Sequence, residues 1–181
     1  MLTKQRASIE DLYHVPGKAE IVNGEIVHMP PTGGLPNIAA GEIFVSLRNY
    51  VKRTGSGHAF TDNVGFEVNL PNRSAFSPDA SFYIGTLDGL SYPIGSPNFA
   101  AEVRSENDYG SKAEREMADK RRDYFTAGTL VVWDVDLLDE DVVKVYRSSD
   151  PIHPTVYRRG ESAEAEPAVP GWTMPVDDLF L

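Results

Sequence analysis

Two apolar runs, Phe99–Arg104 and Leu130–Val135, bracket a polar stretch that opens at Ser111 and closes at Gly128. This succession constrains the chain more than any other feature. Each run has the length of a strand. The stretch between them places Ala113, Met117, Lys120 and Tyr124 at steps of four, three and four, which is helical spacing. Ser111 with Glu114 three residues on predicts a capping box, and Gly128 a left-handed stop. Residues 64–70 alternate, with Phe66, Val68 and Leu70 on one face, and 79–84 reads as another strand after a turn at Pro71-Asn72. Strands 79–84, 98–104 and 130–136 are expected to be neighbours.

The rest of the chain fits around this centre. Ser8 with Asp11 predicts a short capped helix over 8–14. Residues 19–29 read as a hairpin turning at Asn23-Gly24. A helix runs to about Arg53 on the stripe Ala40, Phe44, Leu47 and Val51, and Gly55-Ser56-Gly57 stops it. Asp139-Glu140-Asp141 turns the chain into a strand over 142–147, and 154–159 pairs next. The acidic, proline-rich tail from Glu161 to Trp172 reads as an extended surface loop. Strands mixed with two substantial helices predict one α/β domain over residues 1–181, with a mixed sheet flanked by helices.

Composition excludes several function classes. With 41% hydrophobic and 24% charged residues, the chain has material for a core. It lacks any apolar run of about 18 residues, so no membrane span is expected. The start, MLTKQRASIEDLY, has no apolar leader core, so secretion is not expected. Without cysteine there are neither disulfides nor thiolate zinc sites, which fits the cytoplasm. His14, His28, His58 and His153 lack metal-ligand spacing. No phosphate-binding glycine loop, dinucleotide fingerprint, nucleophile elbow or zinc-protease motif occurs. The formal net charge of -10 argues against simple nucleic-acid binding, which draws on a basic face. Divalent metals between carboxylates and phosphate would reconcile the two.

Three residues stand out by placement. Asp79 follows Pro78 at the start of a strand. Glu102 interrupts an apolar strand, where an unpaired carboxylate would be costly to bury. Carboxylates from adjacent strands can together hold a hard cation such as Mg²⁺. Lys120 lies within an arc of about 60° with Ala113, Met117 and Tyr124, away from Arg115, Asp119 and Arg122. A core-facing lysine needs a carboxylate partner, and the preceding strand offers Glu102.

The segments AEIVNGEIVHMPPTGG, SPDASFY, FAAEVRSENDYGSKAEREMADKRRDYFTAGTLVVWDVD and VPGWTMPVDDLF cover most of the chain. In order and spacing they resemble the Uma family, a bacterial group of restriction-endonuclease-like proteins in the PD-(D/E)XK superfamily. The resemblance implies a restriction-endonuclease-like mixed sheet with an N-terminal hairpin, and Mg²⁺ or Mn²⁺ held by Asp79 and Glu102. It also implies Lys120 as a lysine moved from strand to helix, and Glu20 as an additional acidic site residue. Two positions depart from the pattern. The strand position that carries lysine in the strict motif is Arg104, which can hold a phosphate but cannot serve as a base. Asn37 stands near the place where many relatives have histidine.

Each residue also has a plainer reading. Asp79 could cap a turn, Glu102 could form a structural ion pair, Lys120 could snorkel, and Glu20 could be a solvated hairpin residue. Two functions follow. One is phosphodiester hydrolysis, with DNA as substrate and a homodimer to cut both strands. The other is an inactive module of the same fold acting in protein interaction or regulation. The charge balance favours the second; a positive cleft leading to Asp79 would favour the first.

Overall fold

The computed structural model describes residues 6–180, so the reading of the first five residues lies outside it. A short helix α1 (Ile9–Tyr13) opens the described chain, started by the Ser8–Asp11 capping box. Strands β1 (Ala19–Val22) and β2 (Glu25–His28) form the expected hairpin. Its turn residues, Asn23 and Gly24, have φ of 53° and 75°, the doubly positive pair that a type I′ turn requires. Helix α2 (Gly34–Thr54) follows and ends at Gly55 in the left-handed region. Then come β3 (His58–Phe60), β4 (Phe66–Glu67), β5 (Arg73–Phe76), β6 (Ala80–Tyr83) and β7 (Phe99–Val103). Helix α3 (Ser111–Ala127) leads to β8 (Val131–Val135), β9 (Val143–Arg147), β10 (Asp150–Tyr157), β11 (Ser162–Glu164) and β12 (Thr173–Pro175). A short 3-10 turn, Val176–Leu179, ends the described chain.

Six strands form a mixed sheet in the order β10-β9-β8-β7-β6-β3. The pair β7–β8 is parallel and every other pair antiparallel. A parallel pair needs a crossover, and α3 supplies it. The three strands expected to be neighbours therefore are: β6, β7 and β8 lie side by side. A second, antiparallel sheet, β2-β1-β5-β4, carries the N-terminal hairpin. A mixed sheet flanked by two long helices is the architecture the sequence predicts.

Alternation along β7 and β8 sorts their side chains onto two faces. Phe99, Ala101, Val103, Val131, Trp133 and Val135 join the large core cluster under α2. Ala100 and Val132 turn the other way, packing with Tyr124 of α3 and with Phe66 and Phe76 of the second sheet. Glu102 shares that second face, two residues along from Ala100. Helix α2 buries Ala39, Ala40, Ile43, Leu47, Tyr50 and Val51, with Phe44 only half-buried, so its stripe is broader than predicted.

Three expectations are corrected. The tail is no surface loop. Ala163, Ala165, Ala168, Val169, Trp172 and Met174 are all buried, and β11 pairs with β12 over the α2 side of the sheet. Trp172 stacks on Trp133 with ring centroids 5.0 Å apart and donates its indole N–H to Ser46 Oγ. Small alanines alternating with outward glutamates carry too little hydrophobicity to announce a core strand. Secondly, α3 is capped at Gly110 with no side-chain cap, because Glu114 turns instead to Arg104. Thirdly, only residues 66–67 of the expected 64–70 strand pair as strand; its partner β5 begins at Arg73, directly after the predicted turn. Among the described residues no helix is long and apolar enough to cross a membrane.

Truncating Trp172 to alanine is expected to cost about 3–5 kcal/mol. That corresponds to a fall in melting temperature of about 10 °C for a chain of this size. Calorimetry showing an unchanged melting temperature would remove the tail from the core.

Candidate functional site

The two sheets and α3 meet around a cleft of about 940 Å³, with Lys18, Glu20, Asp79, Glu102, Lys120 and Asp123 among its walls. Strand β1 delivers Glu20, the start of β6 delivers Asp79, and β7 delivers Glu102. Ala80 pairs with Ala101, so one step outward Asp79 and Glu102 stand opposite each other on adjacent strands. Asp79 is held from behind: its Oδ2 accepts from the Val103 N–H at 2.8 Å.

Lys120 lies between two carboxylates. Its ammonium is 2.8 Å from Glu102 Oε1 and 2.9 Å from Glu20 Oε1, with the side chain 15% exposed. Glu102 Oε1 also accepts the Tyr124 hydroxyl at 2.7 Å. Three of the sequence-predicted residues, Glu20, Glu102 and Lys120, are thus in direct contact. Asp79 faces Glu102, but its ion pair is with Lys18, 2.5 Å away, and not with Lys120. Lys18 also reaches Asp62 at 2.7 Å.

Glu20 is not the solvated hairpin residue that its position beside an Asn-Gly turn suggests. It is 2% exposed. Besides Lys120 it takes the Arg73 guanidinium at 2.5 Å and the Ser77 N–H at 2.8 Å. Arg73 in turn binds Asp123 at 3.0 Å, where the Asn72 amide joins it. Sequence reasoning missed Arg73 because the four-residue strand β5 that carries it is not among the expected strands. It missed Lys18 too, although Lys18 and Glu20, two apart at a strand start, share a face by simple alternation.

The charges explain how these groups titrate. Burial pushes the Glu102 carboxyl up; the lysines at 120 and 18 oppose this, but the negative Asp79 and Glu20 add to it, and the result stays above the usual glutamate value. Burial acts the same way on Glu20, yet Lys120, Arg73 and the Ser77 N–H outweigh it and hold that carboxyl low. For Lys120, burial favours the neutral amine, but Glu102 and Glu20 prevail and raise it above the ordinary lysine value. Lys120 therefore carries a firmly held proton. Burial and the neighbouring Glu102 drive the Tyr124 hydroxyl well up, so it serves as a donor.

Arg104 lies on the same strand face, two residues beyond Glu102, and is 7% exposed. Its guanidinium forks onto Asp134 at 2.8 and 2.9 Å and also binds Glu114. Arg104 lines the cleft, but its fork is filled by the protein's own carboxylates. Asn37 sits in the first turns of α2, and no contact joins it to this cluster.

Among the described residues no group of three or more His, Asp or Glu is arranged to hold a metal ion. The donors present suit a different kind of site. Asp79 and Glu102 offer two facing carboxylates, and a Mg²⁺-like ion takes one or two of these while keeping several waters. Among the described residues, the ion pairs of Glu20, Asp62, Asp79, Glu102 and Asp123 are with Lys18, Arg73 and Lys120. Five carboxylates against three cations leave an excess of two negative charges, the complement of one divalent ion. The residues fit such an ion.

Comparison with known proteins agrees with this architecture. A crystal structure described as a putative nuclease belonging to DUF820, from Anabaena variabilis ATCC 29413, superposes with a TM-score of 0.73 at 19% identity. The match covers 96% of this chain and 97% of that one, and at this identity it speaks for the fold. No curated protein matches the chain. Residues 8–177 match a family model described as "Putative restriction endonuclease", a span that takes in the hairpin, both long helices, the facing carboxylates and the buried tail alike. The chain belongs to the Uma2 family.

Proposed function

We propose that the protein is a metal-dependent endonuclease of the PD-(D/E)XK type, hydrolysing phosphodiester bonds in DNA. Support comes above all from Lys120, a charged, half-buried lysine fixed between Glu102 and Glu20 beside the facing Asp79. Asp79 and Glu102 would hold Mg²⁺ or Mn²⁺. Such an ion, when bound, activates a water and neutralises charge on a phosphoryl oxygen. Lys120 donates hydrogen bonds to the attacking water or to the phosphate oxygen that gains charge. Its raised proton affinity suits a fixed positive donor and not a proton acceptor. Glu20 and Glu102 keep it in place, Glu20 through a carboxylate itself pinned by Arg73 and Ser77, and Glu102 through one that accepts the Tyr124 hydroxyl.

Cleavage assays on single- and double-stranded DNA with Mn²⁺, against chelator, test this directly. Activity that disappears in chelator and in Asp79→Ala is the expected result. Cleavage unaffected by either would sink the assignment. A single site per chain cuts a duplex most simply as a two-fold dimer. Light scattering should then return twice the 19.9 kDa chain mass; a mass of 19.9 kDa would count against the dimer.

One observation favours the second reading, an inactive module in protein interaction. The cleft walls carry more acidic residues than basic ones, and Lys18, Arg73, Arg104 and Lys120 are each paired internally. Stable folding with no cleavage of any nucleic acid, even with Mn²⁺, would favour it.

A further inference from the structure

Lys18 already presents a cation to the proposed metal position. Its carbonyl accepts from the Met29 N–H at 2.9 Å, which extends the β1–β2 ladder by one residue and anchors the backbone there. Its ammonium sits on Asp79 Oδ1 at 2.5 Å. The other oxygen of Asp79 is committed to the Val103 N–H. Oδ1 is therefore the oxygen through which Asp79 would meet a metal ion, and Lys18 covers it.

The two lysines at this site are differently placed. Among the described residues, the ion pairs of Lys120 are with Glu20 and Glu102, and Glu20 is almost wholly buried. Lys18 touches Asp79 and also Asp62, whose side chain is 38% exposed against 21% for Asp79. Leaving Asp79, Lys18 keeps a counter-charge in a wetter place. Lys120 has no such second station.

We propose that Lys18 is a built-in competitor for the divalent ion at Asp79: it neutralises that carboxylate in the metal-free protein and retreats to Asp62 when the ion binds. The inference rests on the assignment of Asp79 and Glu102 as metal ligands. Without a cation there, Asp62, Asp79 and Glu102 would repel one another across a partly desolvated cleft. With Lys18 in place the empty site is stable, and a metal ion must displace a charge-assisted hydrogen bond to enter. The protein then gives up metal affinity in exchange for a folded apo state. Vacating Asp79 also leaves an ammonium at the cleft wall, where a phosphate oxygen could take it.

Calorimetric titration of Mn²⁺ into the wild type, Lys18→Met and Lys18→Gln decides the matter, with no nucleic acid present. Lys18→Met keeps the apolar stem and removes the charge. It should bind Mn²⁺ tighter by on the order of ten- to a hundredfold, the range that a charge-assisted hydrogen bond spans. Its metal-free form should melt lower than wild type and gain more from added Mn²⁺. If Lys18→Met fails to fold, Lys18→Gln provides the same comparison. Equal or weaker binding by the variants, with clear binding by the wild type, overturns the competitor role and leaves the metal assignment standing. Tight binding that survives Asp79→Asn in the Lys18→Met background also overturns it, since the ion is then elsewhere. No Mn²⁺ binding by any of them brings down both.

Discussion

Replacing Lys120 with alanine should lower DNA cleavage by about 10²–10³-fold, the cost of removing one preorganised donor to developing charge. Mn²⁺ binding should remain measurable, since Asp79 and Glu102 are untouched. The change also leaves Glu20 and Glu102 without their shared cation, so some loss of stability accompanies it. Kinetics separate the two effects. Lys120→Arg keeps the charge but replaces a compact ammonium with a broad planar fork, which does not fit between two carboxylates less than 3 Å from one nitrogen. It should restore stability more than turnover. The pH profile tests the role itself. A lysine acting as general base gives a rate that climbs as its amine loses a proton. A fixed donor gives none of that climb, and the raised proton affinity of Lys120 predicts the second outcome. A rising alkaline limb that vanishes in Lys120→Ala would overturn the donor role.

Arg104→Met should destabilise the fold by about 3–5 kcal/mol, the usual cost of stripping one partner from a buried ion pair. Asp134, 3% exposed, would lose its two-bond fork, and Asp136 lies 4.0 Å from the same guanidinium. Pairing the change with Asp134→Leu should recover most of the loss, because the uncompensated charge goes with it. Urea unfolding of the two variants gives the comparison. Should Arg104→Met fold as stably as wild type yet lose turnover, a phosphate-binding role for Arg104 would replace this structural one.

How legible the site was depended on how regular its surroundings are. Glu102 and Lys120 could be found because each breaks an otherwise unbroken pattern, an apolar strand in one case and an apolar helical stripe in the other. The same regularity made β6, β7 and β8 predictable as neighbours. Where segments are short, the pattern has too few repeats to read. Strand β5 has four residues and begins on an arginine beside a turn, so Arg73 looked like turn polarity when it anchors Glu20. Glu20 needed the family resemblance, since a carboxylate one residue inside a hairpin resembles countless solvated ones. Its burial comes from β5 and α3 packing over the hairpin, a long-range event with no local trace. The tail failed for another reason. Its apolar positions are mostly alanine, which fills space under Trp172 without the bulk that marks a core strand.

The same tail has a consequence for how the protein is made. Trp133 lies at the middle of the central sheet, yet its indole N–H is satisfied by Glu164 O and its ring is covered by Trp172. During synthesis the six-stranded sheet can assemble once β10 has emerged, but the part of one face that α2 does not cover then stays open. The ribosome must deliver some twenty further residues before Ala163, Val169, Trp172 and Leu179 can close that face. A nascent chain paused after β10 exposes tryptophan, phenylalanine and valine, the kind of surface that holding chaperones bind. Completion of the core thus waits on the residues that follow β10, and chains released before these should be cleared rather than accumulate as partly active protein.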